Sequence, residues 1–411
     1  MSTKASNLNV GITAKQTIWG NKNFVILLLS GFIISIGSKI YELALPLILY
    51  DLTKSSVIMS TMKGIEFLPN LFLAIFIGVI VDRVNKKRWS LWAIAIQSIV
   101  LIGLYVMINS GYTHPGLFYI TGFILMTCSY AYFNARISIA KHVLPKELLT
   151  SANASFSFIS TFIGIMGPAI TGFILLFSNL QDGLLLTAIS FVMAFGAMCL
   201  LDSNEEKIEK KDSNFWQELK DGWIELRTNR PLWLMTILVI FTNATSGMVM
   251  TMIIFFAKEN LRLDNGELGL VLSCAGLGGL IGSSLISYLR KKIPLGILLG
   301  LNIILVAFAY LILSQAENIW IFGIGIFLEA LFGIMAAILI WTFRLESTPN
   351  HLIGRITGLT GSIFKLAMPF AIFAAGYMAD WFNPAFVFSL AAILNVIFFI
   401  VYIRTPLWKL S

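Results

Sequence analysis

Phe24-Val-Ile-Leu-Leu-Leu-Ser30-Gly-Phe-Ile-Ile-Ser-Ile-Gly-Ser-Lys39-Ile-Tyr-Glu42-Leu-Ala-Leu-Pro46-Leu-Ile-Leu-Tyr50 is a nearly unbroken apolar run whose two charges lie near its centre. It exceeds the roughly 20 residues a helix needs to cross a bilayer. It is also too long for a signal-peptide core. The polar segment before it holds Lys4, Lys15 and Lys22 and no acid, so no cleaved leader is expected. Similar runs follow at about 57–81, 89–108, 117–135, 155–177 and 183–201. After a charged break come 232–256, 268–289, 295–313, 319–343, 356–379 and 386–403. The pattern is six spans, a break and six more.

The whole chain agrees with this reading. Of its 411 residues, 57% are hydrophobic and 12% charged, and mean hydropathy is +0.85, where a soluble domain carries about 25% charge. These values exclude a soluble enzyme, a nucleic-acid-binding domain and a disordered chain. The net charge of +8 reflects topology: of the Lys and Arg outside the spans, all but Lys54, Lys258 and Arg262 fall on one side, which the positive-inside rule makes cytoplasmic. The expected organisation is a cytoplasmic N-terminal segment at 1–22, a six-helix bundle at 23–201, a cytoplasmic linker at 202–230, a second bundle at 231–404 and a cytoplasmic tail at 405–411. Phe215, Trp216, Leu219, Trp223, Ile224 and Leu226 in the linker recur at helical spacing, as in an amphipathic surface helix. Cys128, Cys199 and Cys274 lie in apolar runs without CxxC spacing, so neither a disulfide nor a metal site is expected. No cofactor, ATP-binding or catalytic motif is present.

The halves are related. Pro145 and Pro349, before spans five and eleven, and Lys87 and Lys291, in the two basic loops, are each 204 residues apart (349 − 145 and 291 − 87). Duplicated bundles are a common construction of secondary transporters, with the substrate site between the halves. The loop after span two, Gly78-Val-Ile-Val-Asp82-Arg83-Val-Asn85-Lys86-Lys87-Arg88, resembles the Gly-x-x-x-Asp-Arg-x-Gly-Arg-Arg signature of the major facilitator superfamily. Asn85 stands where the family has glycine and is expected to enter the left-handed backbone region. Gly164-x-x-Gly167-Pro168-x-x-x-Gly172 in span five resembles the Gly-Pro motif of the family's antiporters. Tyr41-Glu-Leu-Ala-Leu-Pro46, Glu66-Phe-Leu-Pro69-Asn70 and Arg136…Leu144-Pro145…Ala152-Asn153-Ala154 resemble its drug, macrolide and siderophore exporters.

The resemblance implies an all-α membrane protein of twelve transmembrane helices in two six-helix halves. It further implies proton-coupled efflux of a small hydrophobic or amphipathic compound by alternating access in the cell membrane. Partners are then the substrate, protons and the lipid bilayer, and a monomer is expected. A solute importer or a lipid flippase would use the same fold. Gly78, Asp82, Arg83, Lys86, Lys87 and Arg88 would form a latch between the halves at the cytoplasmic side.

Six charges lie inside spans: Lys39, Glu42, Lys63, Glu66, Glu329 and Lys365. Such charges are costly in lipid and face an interior with a partner. Spans three, six, nine and twelve contain none, as befits the family's outer, lipid-facing helices. Matched depths suggest Lys63 with Glu42, Lys39 with Glu66, and Glu329 with Lys365, either as structural pairs or as sites for protons and substrate. Glu66 is the leading proton-coupling candidate, with Glu42 and Glu329 as substitutes. Pro69, Pro168 and Pro369 are expected to bend helices. Gly164, Gly167, Gly172 and the Gly278-x-x-x-Gly282 pair are expected to allow close helix packing. Arg136 is expected at the cytoplasmic end of span four.

Overall fold

The structure, a computed structural model, describes residues 18–73, 77, 80–81, 84–175, 179–202, 215–349 and 352–410. In the first half these form α1 (Lys22–Thr53), α2 (Ser56–Phe72), α3 (Lys86–Asn109), α4 (Pro115–Val143), α5 (Lys146–Leu175) and α6 (Leu180–Cys199). The linker helix α7 (Phe215–Thr228) follows. The second half comprises α8 (Arg230–Glu259), α9 (Asn265–Leu289), α10 (Leu295–Ser314), α11 (Ile319–Glu346), α12 (Ile353–Ile363), α13 (Met368–Trp381) and α14 (Pro384–Tyr402). Among the described residues there is no strand. Ten segments among the described residues are long and apolar enough to cross a membrane, the stretch Ile356–Trp381 counted as one. With α2 and α5 packed among them, the order fits the expected twelve.

The helices start where the sequence supplies acceptors for unpaired backbone N–H groups. Asn21 accepts from Phe24 N, Ser55 from Ile58 N and Asn383 from Phe386 N. Asp264 and Glu267 form a reciprocal capping box at α9. Asn85 corrects an expectation: its backbone is extended, at φ −66° and ψ 111°, and its side chain caps α3 by accepting from Arg88 N. Span four also runs further than its apolar stretch suggested. α4 continues to Val143, because apolar length marks the lipid-embedded part of a helix and not its polar extension.

Lipid tails are as apolar as leucine, so helix association here rests on close packing. A Cβ at Gly278 or Gly282 would run into the carbonyl oxygens of Phe327 and Leu331 on α11. The glycine pair therefore lets α9 lie directly on the backbone of α11. Large apolar side chains such as Trp92, Ile99 and Val106 on α3 and Ile393, Ile397 and Ile400 on α14 point outward, as on helices that face lipid.

Two helix pairs join the halves most extensively, α5 with α9 and α2 with α13. At the end opposite the basic loops, the Tyr50 hydroxyl donates to Glu259 Oε2 at 2.9 Å and the Ser56 hydroxyl to the Gly376 carbonyl at 2.9 Å. The Tyr50 ring also packs edge-on against Phe255. Span eleven is broken at 364–367 into α12 and α13, with Pro369 in the first turn of α13. The carbonyl of Phe364 at the break accepts from Asn243 Nδ2 on α8 at 3.0 Å. By contrast, α5 is unbroken through Pro168, and Pro69 lies inside α2 one turn from its end.

Candidate functional site

Charges in the first bundle form two stacked pairs, but not those expected from depth. Lys39 Nζ reaches Glu42 Oε2 at 2.6 Å, and Lys63 Nζ reaches Glu66 Oε2 at 2.9 Å, each within one helix at i,i+3. Matching depths says nothing about which side of a helix a residue faces, and side chains three apart on one helix are already neighbours. The two helices are still tied, since Lys63 Nζ also donates to the backbone carbonyl of Glu42 at 3.3 Å. Glu66 is buried. Glu66 and the Tyr41 hydroxyl are close enough to interact, but neither Oε1 nor the hydroxyl has a partner in good hydrogen-bond geometry.

Lys39 and Glu42 open onto a cavity of about 540 Å³ between α1, α4 and α5, which extends to Arg136 and Asn153 toward the basic end. Gly167 of the Gly-Pro motif has a specific task there. A Cβ on it would lie 2.8 Å from Lys39 Cγ, so the glycine makes room for the lysine stem. Gly164 borders the same cavity with nothing within 4 Å of a built Cβ.

Arg136 is the cavity residue most underrated from sequence. It is buried where α4 runs on beyond its apolar stretch, and its guanidinium packs on Gly31 and over the rings of Phe156 (4.4 Å) and Phe133 (5.9 Å). Arg344 in α11 repeats this arrangement over Trp341 (3.8 Å) and Phe364 (5.8 Å). The differences 344 − 136, 341 − 133 and 364 − 156 all equal 208. An arginine with aromatics three before and twenty after, recurring at one offset, was a signal available in the sequence. Such cation–π contacts suit guanidinium groups in a desolvated site.

In the second bundle Glu329 and Lys365 do not pair. Among the described residues no ion pair involves either. Lys365 sits in the break of span eleven, whereas Glu329 lines a separate cavity of about 130 Å³ with Asn243, Asn302, Tyr310 and Asn395. These asparagines were passed over because only formal charges were weighed, although amides inside apolar spans are themselves conspicuous.

Gly78, Asp82 and Arg83 lie outside the described residues. From the rest of that loop, Lys87 donates to the carbonyls of Cys199 (3.1 Å) and Leu201 (2.6 Å). A cation thus caps the C-terminal end of α6, where the helix dipole favours positive charge. Lys22 and Asp202 pair at 2.9 Å nearby. Arg88 begins α3 with its backbone capped by Asn85, and Lys86 is buried.

The profile of the Major Facilitator Superfamily matches residues 27–372. Among curated relatives, a Bacillus amyloliquefaciens protein named for bacilysin export, BacE, is 23% identical over 228 residues, which are 54% of this chain and 56% of that one. The match thus spans about half the length of that relative. Macrolide efflux protein A of Streptococcus pyogenes is 22% identical over 359 residues, 84% of this chain and 86% of that one. The crystal structure of the nucleoside transporter NupG superposes with a TM-score of 0.74 at 11% identity, covering 94% of this chain and 99% of that one, a likeness of fold. With a match that runs through both bundles, the chain belongs to the Major Facilitator Superfamily.

Proposed function

We propose that this transporter exports a hydrophobic or amphipathic compound across the cell membrane, driven by protons, with its basic end and both termini in the cytoplasm. The observation that carries this reading is the 540 Å³ cavity. It runs from Lys39 and Glu42 toward the basic end, while the halves are joined at the opposite end through Tyr50–Glu259 and Ser56–Gly376. This is the state that would load cargo from the cytoplasm. Phe133, Phe156, Ile159 and Ile163 supply apolar walls, and Ser35, Ser38 and Ser157 supply hydrogen bonds, a mixture suited to amphipathic molecules. The names of BacE and macrolide efflux protein A support the outward direction.

Coupling is assigned to Glu66. Oε2 already faces Lys63, so the unpartnered Oε1 beside Tyr41 is where a proton would enter. Lys63 is anchored on α1 through the Glu42 carbonyl. A shift of α1 against α2 would pull the ammonium away from Glu66 and leave the buried carboxyl without its cation. Alternating access would then be tied to proton uptake and release. The latch around Asp82 is the corresponding closure of the cytoplasmic side.

Susceptibility of cells lacking and overproducing the protein, measured against macrolides, peptide antibiotics and siderophores, identifies the cargo. In proteoliposomes, Glu66→Gln should abolish export driven by a pH gradient and keep exchange of that cargo at equal pH. Gradient-driven export that survives the substitution overturns the assignment.

A further inference from the structure

The cavity in the second bundle has a hydrogen-bond inventory unlike that of the first. Three asparagines reach it from three helices, Asn243 on α8, Asn302 on α10 and Asn395 on α14, and each has its amide nitrogen engaged elsewhere. Asn243 Nδ2 donates to the Phe364 carbonyl at 3.0 Å and Asn302 Nδ2 to the Leu298 carbonyl at 2.8 Å. Asn395 Nδ2 donates to the Ala391 carbonyl at 2.8 Å and to Thr245 Oγ1 at 2.9 Å. A backbone carbonyl only accepts, so these contacts fix which end of each amide is nitrogen. What remains are three amide oxygens and, since an amide nitrogen carries two hydrogens, one N–H each of Asn243 and Asn302. One of the oxygens, Asn302 Oδ1, is fully buried without a partner on a residue 1% exposed.

To these oxygens α11 adds the carboxyl of Glu329, with no cationic side chain in ion-pair contact among the described residues. Tyr310 and Ser246 bring two hydroxyls that hydrogen-bond to one another, which uses one of their two O–H groups. The lining thus offers more oxygen acceptors than free donors, among them a carboxyl group with no cationic partner among the described residues. Buried acceptors without donors are costly unless something positive meets them. One carboxylate with neutral oxygens balances a single positive charge, and hard oxygen donors select a hard cation. A cavity of about 130 Å³ has room for a small ion with a few waters at about 30 Å³ each.

We propose that this cavity is a binding site for a monovalent alkali cation of the Na⁺ class, held by Glu329 and the amide oxygens of Asn302, Asn243 and Asn395. The inference is independent of the export reading, because its probe is Na⁺ alone.

The test is equilibrium binding of radioactive Na⁺ to the purified full-length chain, with choline holding ionic strength constant. Saturable binding displaced by unlabelled Na⁺ and Li⁺ but not by choline is expected. Glu329→Gln and Asn302→Leu should each weaken it by about tenfold or more, the equivalent of about 1.4 kcal/mol, and Asp202→Asn, in the exposed pair with Lys22, should leave it unchanged. Absence of saturable binding overturns the proposal, as does binding indifferent to Glu329→Gln or displacement by methylammonium ahead of Na⁺, which would mark an amine site. Response to pH without competition by Na⁺ would mark a proton site and overturns it equally. If either variant fails to fold, the wild-type competition series alone decides.

Discussion

Replacing Lys63 with methionine should destabilise the protein far more than the same change at Lys39. Both lysines sit in i,i+3 pairs, but their surroundings differ. The Lys63 and Glu66 side chains are 18% and 5% exposed, against 29% and 39% for Lys39 and Glu42. Lys63→Met strands a buried carboxylate, a change that costs about 3–5 kcal/mol. Lys39→Met leaves Glu42 facing a cavity and should cost about 1 kcal/mol or less, as for partly solvated pairs. Adding Glu66→Gln to Lys63→Met should recover most of the loss, because neither charge is then left alone. A double-mutant cycle on reversible unfolding, followed by tryptophan fluorescence, isolates the pairwise energies. Coupling of Lys63 to Glu66 should exceed its coupling to Glu42, which it touches only through the backbone. A Lys63–Glu42 coupling as large as that of Lys63–Glu66 would refute the pairing within helices and restore the one expected from depth.

Gly167→Val should displace the Lys39 stem and sharply lower transport while the amount of folded protein in the membrane stays near normal; unchanged transport removes Gly167 from the cavity's design. Asp82→Asn should impair transport strongly with little effect on stability, as the latch signature implies, and normal transport would leave Asp82 a topology residue. Gly376→Val would thrust a side chain into Ser60 and toward the Ser56 carbonyl; distances between spin labels at Leu52 and Arg262 should lengthen, and an unaltered distribution contradicts a closing role for α2 and α13. Asn243→Ala deprives the Phe364 carbonyl of its donor and should cost about 1–3 kcal/mol, measured by chemical unfolding.

The fold was legible because apolar run length and the sidedness of lysine and arginine are local, additive signals. The site was legible only in its cast. Lys39, Glu42, Lys63 and Glu66 do gather between α1 and α2. Their partners were misassigned because rise along a helix was counted without rotation around it, although Lys39–Glu42 and Lys63–Glu66 both have the spacing of helix neighbours. Arg136 follows the apolar stretch of span four, but hydropathy could not show that α4 goes on to Val143 and that the arginine is buried. Asn302 and Asn395 carry no charge and so escaped a search for charges, yet an amide with its nitrogen tied to the preceding turn presents a bare oxygen to whatever lies opposite.

The break at 364–367 gives span eleven a joint. Below it, α12 rests on the linker helix α7. Above it, α13 is clasped by α2 of the other bundle and by α8. A continuous helix would transmit any tilt of one end rigidly to the other. Here four residues interrupt the helix between α12 and α13, and the Phe364 carbonyl is held sideways by Asn243. The two pieces of one span share α8 but differ in their other neighbours, α7 below and α2 above, so a tilt of the lower piece need not pass rigidly to the seal.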